Sequence, residues 1–288
     1  MLTKLLFFAT AALVLNTHSL ASPQKNKTVV PATPLLTRTV SRHEVRRFGY
    51  GGTITIVGAP RGSITIEGWS KNEVDLTAEI EVQGPTEEDM ARVAAVTGFL
   101  LDDDSNHLSL ITSGTHDKAY MRRVAKNFPK QLLGLPWKID YRLRVPVLTD
   151  LEINGGVGPI GVTGVEGALR LNSPQTDATL SLTGRVANVT VGMGTVNVII
   201  PARSWRGSGA DIQLAAGQLN VELPVGFSGD IDADILRSGK IDNSYGLEAR
   251  ERASLSERSV RARAGAGGAF LKFTVGVGEI HIKKAIER

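Results

Sequence analysis

Residues 151–200 decide the fold: LEINGGVGPIGVTGVEGALRLNSPQTDATLSLTGRVANVTVGMGTVNVII. Apolar and polar residues alternate here in short segments, which begin at Leu151, Ile160, Leu169, Ala178, Val186 and Val196. The segments are spaced by about nine residues and separated by Gly, Asn, Asp or Ser. Each segment is too short to enclose a core alone, whereas stacked segments would share one. The repeat therefore predicts an all-β fold, a Gly-rich β-solenoid resembling a β-helix.

An antiparallel sandwich is the alternative topology, because it also shows short strands at spacings of about 8–12 residues. The repeat continues at Ile212, Leu219, Ile231 and Ile241. The chain has 31 glycines and only 5% aromatic residues, a composition typical of tight corners and a narrow interior. This composition favours the solenoid over the sandwich.

The remaining sequence divides into segments around the repeat. Residues 46–147 read as an N-terminal β lobe with strands at 53–57, 63–67 and 74–82 and a helical insertion. In that insertion Thr86 caps one helix, and a second runs from Asp117 to about residue 127 with Tyr120, Val124 and Phe128 on its apolar stripe. We assign residues 22–45 to a Pro/Thr-rich tether and 148–288 to the solenoid, with a charged surface loop at 246–268.

The N-terminus has the pattern of a signal peptide over residues 1–21. Lys4 provides a positive charge, residues 5–15 are an apolar run, and Ser19 and Ala21 are small residues before a cleavage site. We therefore expect export to the periplasm, the outer surface or the extracellular space. No later segment is long enough to span a membrane.

Charge and composition limit the partners. The net charge of +4 is far from the dense basic stripe of a nucleic-acid-binding protein. An envelope polymer, a membrane surface or a protein partner fits an exported chain better, and the oligomeric state is left open. With no cysteine, disulfides and Cys-based zinc sites are excluded.

Two glycine-rich stretches carry a family resemblance. FGYGGTITI (48–56) and GSITIEGW (62–69), followed much later by GEIHI (278–282), resemble the bacterial "putative adhesin" family of unknown function. The resemblance implies a secreted or envelope-anchored β-solenoid. It transfers no catalytic residue to this chain.

The first candidate site is a polar ladder on the outer face of the repeat. Period-two spacing puts Asp230, Asp232 and Asp234 on one face of a strand. If the neighbouring strand stacks in phase, Gln218, Asn220 and Glu222 join them. Such an oxygen-rich ladder could hold Ca²⁺ or contact a sugar, and the alternative is an ordinary solvated strand face.

The second candidate site, here called the basic/aromatic surface, combines cations with aromatic residues. Its members are Lys118, Arg122, Arg123, Lys126, Lys130 and Trp137. This combination suits an anionic membrane interface or a partner groove. The alternative is a helix packed on the β lobe with its cations in water.

We find no catalytic set, and we expect no cofactor and no metal. Nucleophile elbows and paired metal-binding histidines are missing from the sequence. The sequence therefore predicts a non-enzymatic, secreted cell-envelope protein that acts as an adhesin-like binding or scaffolding surface. Two alternatives stay open: a polysaccharide-active β-helix enzyme using Asp230, Asp232, Asp234 and Lys240, or a periplasmic partner that regulates or assembles a membrane protein.

Overall fold

The computed structural model describes residues 35–104, 106–250 and 256–285. The predicted signal peptide and the tether up to residue 34 lie outside these ranges. The strands of the described chain, in order, are β1 (Leu36–Arg47), β2 (Thr53–Val57), β3 (Ile64–Trp69), β4 (Glu73–Gly84), β5 (Gly98–Asp103), β6 (His107–Ser113), β7 (Trp137–Pro146), β8 (Asp150–Asn154), β9 (Ile160–Thr163), β10 (Leu169–Gln175), β11 (Ala178–Ser181), β12 (Gly184–Ile199), β13 (Arg206–Leu223), β14 (Gly229–Asp242), β15 (Glu248–Ala249), β16 (Ser259–Ala264) and β17 (Phe270–Lys284). Two α-helices, α1 (Glu87–Val96) and α2 (Lys118–Val124), and one 3₁₀ turn (Lys130–Leu132) interrupt them.

The all-β prediction is confirmed: the strands join into one curled, 17-stranded sheet. The repeat strands pair in parallel, β8 with β10 and β10 with β12, which an antiparallel sandwich does not do. The solenoid itself is not confirmed. Antiparallel pairs flank the repeat on both sides, β4 with β7 and β14 with β16, so the sheet is mixed and only part of the chain repeats.

The parallel strands are stacked in strict register. Leu151 pairs with Leu169 and Leu169 with Ala187, while Ile160 pairs with Ala178 and Ala178 with Val196. The Arg170–Glu152 contact spans the same advance of 18 residues, which is two of the predicted nine-residue periods. All six of these apolar side chains are buried. The alternation read from the sequence therefore places at least two apolar side chains per segment into a shared core, such as Leu151 and Ile153 in β8.

A column of glycines marks the corner where four long strands bend. Gly194 of β12 pairs with Gly217 of β13, Gly217 with Gly278 of β17, and Gly278 with Gly239 of β14. All four have a φ between +135° and +140°. A Cβ on Gly278 would lie 1.7 Å from the carbonyl oxygen of Gly217, so the backbones approach more closely than any side chain allows.

The C-terminal strand breaks the chain order of the sheet. β17 lies between β13 and β14 and pairs with both in parallel. Its Leu271, Phe273 and Ile280 side chains have no exposed surface. The two consecutive strands β13 and β14 are therefore not neighbours, and the last strand completes the core between them.

The helical predictions are confirmed. Thr86 Oγ1 accepts a hydrogen bond from the backbone N–H of Asp89 and caps α1, whose Met90 and Val93 are buried in the core. Asp117 caps α2, which ends earlier than predicted, at Val124. Neither helix is long and apolar enough to cross a membrane, and the described residues contain no others.

The structure differs from the predicted boundaries in three places. Residues 36–45, assigned to the tether, belong to β1, which pairs antiparallel with β4 along its whole length. The charged loop at 246–268 contains β15 and β16, which pair with each other. The division at residue 147 is bridged by β2 pairing with β8 and β3 with β9, and the described residues belong to one compact unit.

We predict that Gly217→Ala destabilises the fold by at least about 2 kcal/mol. An added Cβ would lie 1.9 Å from the Gly194 carbonyl oxygen at a φ of +136°, so the corner must distort. Gly161→Ala is the matched control, because the nearest atom to its new Cβ is 4.0 Å away. Urea unfolding measures both, and a control change within about 0.5 kcal/mol is expected. Equal midpoints for the two variants would contradict the role of the corner.

Candidate binding surface

The three aspartates of the polar ladder lie on one face of β14, but arginines of β16 engage them. The antiparallel register places Arg263 opposite Asp230 and Arg261 opposite Asp232. Arg263 Nε donates to Asp230 Oδ1 at 2.9 Å. Arg261 bridges the other two carboxylates, 3.1 Å from Asp232 and 2.8 Å from Asp234. These aspartates therefore help to hold the neighbouring strand β16 on β14.

A third arginine completes this network. Arg250 lies 3.2 Å from Asp232 and 3.8 Å from Asp230, and the aspartate side chains are only 14% and 16% exposed. The hydrogen bond from Arg263 is the main cause that lowers the pKa of Asp230. Carboxylates held in this way by guanidinium groups are not free to ligate Ca²⁺ or to act as general acids.

The second half of the polar ladder is partnered as well. Gln218 donates to Asn220 at 3.1 Å, and Asn220 donates to Asn197 of β12 at 2.8 Å. Lys283 of β17 lies 2.9 Å from Glu222. Asn220 and Glu222 thus contact the strands on the two sides of β13, and Gln218 contacts Asn220 within β13.

The prediction that both halves share one outer face was wrong. β17 separates β13 from β14, and the register aligns Asp232 with Asp211 and Lys240 with Gln218. The aspartates precede the glycine corner of β14, whereas Gln218 follows the glycine corner of β13. The two halves of the polar ladder therefore lie on opposite sides of the glycine corner. Over the described ranges, no cluster of three or more His, Asp or Glu residues is placed to hold a metal ion.

The set proposed for a polysaccharide-active enzyme is not assembled either. Lys240 lies beyond the corner residue Gly239, and its nearest ion-pair contact is Glu279 at 3.9 Å. Asp230, Asp232 and Asp234 lie before that corner and face arginines. The structure does not bring the cation and the carboxylates into one groove.

The basic/aromatic surface begins with a well-capped helix. Asp117 Oδ1 accepts hydrogen bonds from the backbone N–H groups of Ala119 at 2.8 Å and Tyr120 at 3.0 Å. The N–H of Tyr120 is the main cause that lowers the pKa of Asp117. The only acidic group next to α2 in sequence is thus directed at the helix N-terminus.

Beside α2 lies an open cavity of about 630 Å³, a size typical of small-molecule sites, which run from about 300 to 1,000 Å³. The residues that line it are Thr115, His116, Lys118, Met121, Arg122, Ala125, Lys126, Phe128, Lys130 and Leu133. Four of the six predicted members of the basic/aromatic surface are in this set. Among the described residues, none of these four cations makes an ion pair or a side-chain hydrogen bond.

The floor of the cavity is apolar. Met121 is 7% exposed but is not part of the continuous core of the described residues. Phe128 is half-buried, and Leu133 remains 41% exposed at the far wall. A buried methionine that packs outside the core leaves the cavity with an adaptable apolar surface.

Arg123 and Trp137, the other two predicted members, do not line the cavity. Trp137 is half-buried at the start of β7, and its Nε1 donates to Thr115 Oγ1 at 2.9 Å. The His116 ring lies 5.3 Å from the Trp137 ring, centroid to centroid. Burial is the main cause that lowers the pKa of His116. Trp137 therefore supports one wall of the cavity and is not itself a contact surface.

Sequence reasoning placed the apolar stripe of α2 on the wrong residues. The predicted stripe contained Val124, which is 49% exposed, and missed Met121. Because α2 ends at Val124, Phe128 does not continue its helical spacing. The spacing of Met121 and Ala125 in the sequence could have indicated which residues line the cavity.

The fold and surface define an all-β protein with one curled, mixed sheet and a cation-rimmed apolar cavity. No family model and no curated protein matches the chain. Several solved structures are similar to it, among them three at low identity. A "putative cell adhesion protein" of Clostridium sporogenes has a TM-score of 0.44 and 15% identity, over 85% of this chain and 100% of that one.

The second similar structure is a "putative adhesin" of Bacteroides fragilis, with a TM-score of 0.39 and 15% identity over 86% of this chain and 97% of that one. The third is a "putative lipid binding protein" of Parabacteroides distasonis, with a TM-score of 0.23 and 11% identity over 85% and 97%. The second of these names is also that of the family which the sequence resembles.

We predict that Asp230→Asn destabilises the protein by about 1 to 2 kcal/mol at pH 7, since Arg263 and Arg250 lose a largely buried partner. The lowered pKa of Asp230 means that its contribution is complete above its unfolded pKa of about 3.9. The contribution is lost as the pH falls through the lower, folded value. Urea unfolding of wild type and variant should therefore converge in acid.

Glu152→Gln is the control for this prediction. It removes an exposed ion pair with Arg170, whose side chain is 62% exposed, and should cost no more than about 0.5 kcal/mol. A gap between wild type and Asp230→Asn that is the same at pH 7 and at pH 2 would contradict the assignment.

Proposed function

We propose that this protein is a non-enzymatic, adhesin-like protein of the cell envelope and that it binds through the basic/aromatic surface. One observation carries the proposal: Lys118, Arg122, Lys126 and Lys130 surround an apolar cavity, and within the described residues they have no acidic partner. Exposed cations without partners keep their full attraction for an anionic ligand.

The contrast with the sheet supports this choice of surface. On the outer face of the sheet, Arg170 pairs with Glu152 at 2.7 Å and Lys272 lies 3.9 Å from Asp211. Asp232 is held by Arg261. At these positions the charges of neighbouring strands neutralise one another.

The same contrast supports a role without catalysis. The carboxylates that an enzyme of this kind would need are engaged by Arg250, Arg261 and Arg263. A structural use of these three aspartates keeps them from acid–base work on a glycosidic bond.

We further propose that the parallel part of the sheet acts as a short β-solenoid that serves as a rigid scaffold. The 18-residue advance and the column of corner glycines support this proposal. The location in the envelope rests on the signal-peptide pattern of residues 1–21 and on the family resemblance.

We predict that changing Lys118, Arg122, Lys126 and Lys130 to Ser lowers binding to isolated envelope fragments at least about tenfold. Co-sedimentation of the purified protein with washed fragments at low and moderate salt measures the loss. The control changes Arg170, Arg203, Arg206 and Lys240, four exposed cations elsewhere, to Ser and removes the same charge. Equal losses for both variants would show that only net charge matters, and unchanged binding of the first would refute the proposed surface.

We also predict that the protein does not cleave anionic polysaccharides. Incubation with polygalacturonate and alginate should release no reducing ends and no unsaturated products above the rate of a heat-denatured sample. Turnover that disappears in Lys240→Ala would instead revive the enzyme alternative.

A further inference from the structure

We propose that the cavity beside α2 binds a single anionic lipid, with an acyl chain on the apolar floor and the head group at the cationic rim. The inference rests on the proposed function, since it names the ligand class of the same surface. It adds a defined binding site and a stoichiometry of one lipid per chain.

The first step in the argument is the face that α2 turns toward the cavity. Lys118, Met121 and Arg122 occupy positions i, i+3 and i+4 of α2 and therefore share one face, and Ala125, the residue that follows the helix, lines the cavity with them. In a surface helix, the face that carries the buried apolar residue normally packs against the core. Here that face lines an open cavity, and its Met121 lies outside the continuous core.

The second step is the shape of the apolar surface. Phe128 and Leu133 line the cavity together with Met121. Leu133 is 41% exposed although it lines the cavity, so an apolar ligand would remove it from water. Met121 offers a flexible thioether side chain that adapts to the outline of a hydrocarbon chain.

The third step is the sign of the charge at the rim. Lys118, Arg122, Lys126 and Lys130 are exposed, and no Asp or Glu is among the described residues that line the cavity. The nearby Asp117 carboxylate accepts its two hydrogen bonds from the backbone of α2. A bound anion therefore meets cations without a competing carboxylate.

An amphiphile satisfies both features of the site, whereas simpler ligands satisfy only one. A free phosphate would use the rim and leave the apolar floor exposed. An uncharged lipid would use the floor and leave four cations without a counter-ion. A lipid whose head group is anionic uses both, and its flexible chain fits an open cleft.

The test is titration calorimetry of the intact protein with lauroyl lysophosphatidylglycerol below its micelle concentration. Two further probes separate the contributions: lauroyl lysophosphatidylcholine keeps the chain, and glycerophosphoglycerol keeps the anionic head group. We expect one site per chain and binding of the anionic lysolipid that is at least about tenfold tighter than that of either probe.

Matched tryptophan variants locate the site. Ala125→Trp fills the cavity without changing its charge, and Val124→Trp places the same side chain on the adjacent, 49% exposed position outside the lining. We expect Ala125→Trp to weaken lysolipid binding at least about tenfold and Val124→Trp to leave it within about twofold. Leu133→Trp fills the cavity from an exposed position. Lysolipid binding by this variant tests the site if Ala125→Trp unfolds.

Equal affinity for the lysolipid and for glycerophosphoglycerol would overturn the inference, as would unchanged binding by both cavity-filling variants. In that case, envelope binding that still depends on the four cavity cations Lys118, Arg122, Lys126 and Lys130 would leave the proposed function standing. Envelope binding that is indifferent to those cations would remove both.

Discussion

The close backbone approach at the glycine corner is the constraint on which the rest of the structure depends. Gly194, Gly217, Gly278 and Gly239 stack in one column, and their neighbours leave no room for a Cβ. Because each strand must bend at this column, the register of the strands is fixed along their whole length. A shift by one residue would place a side chain in the corner and would turn every buried Val, Ile and Leu toward solvent.

That register decides which charges are used for the fold and which remain available for binding. It places β17 between β13 and β14, and it leaves the outer edge of the first half of β14 to the arginines of β16. The aspartates of β14 therefore form ion pairs with the neighbouring strand. The cations around α2 lie outside the stacked strands, where no neighbouring strand supplies an acidic partner. The register of the strands thus explains both why the charges of the polar ladder are neutralised and why the cavity beside α2 remains cationic.

Local pattern was sufficient for much of the fold. The alternation at 53–57, 63–67 and 74–82 correctly predicted β2, β3 and β4, and Thr86 and Asp117 predicted the starts of both helices. β1 was missed because it is exposed along almost its whole length and carries no alternation. The relative position of the two halves of the polar ladder could not be predicted from the sequence. It depends on β17, which lies about fifty residues further along the chain. The cavity was missed for a similar reason: the cations were visible, but which helix face lines it depends on tertiary packing.

Disulfide trapping tests the central claim, the insertion of β17, most directly, because the chain has no cysteine of its own. Asp211 and Lys272 are register partners on adjacent strands, whereas Asp211 and Asp232 are separated by β17. Adjacent strands lie about 4.8 Å apart, within the reach of a disulfide, and strands two apart lie about 10 Å apart, beyond it. The account predicts that the double variant Asp211→Cys/Lys272→Cys forms an intramolecular disulfide under mild oxidation and that Asp211→Cys/Asp232→Cys does not. The opposite result would mean that β13 and β14 are neighbours, and it would contradict the insertion of β17 that separates the two halves of the polar ladder.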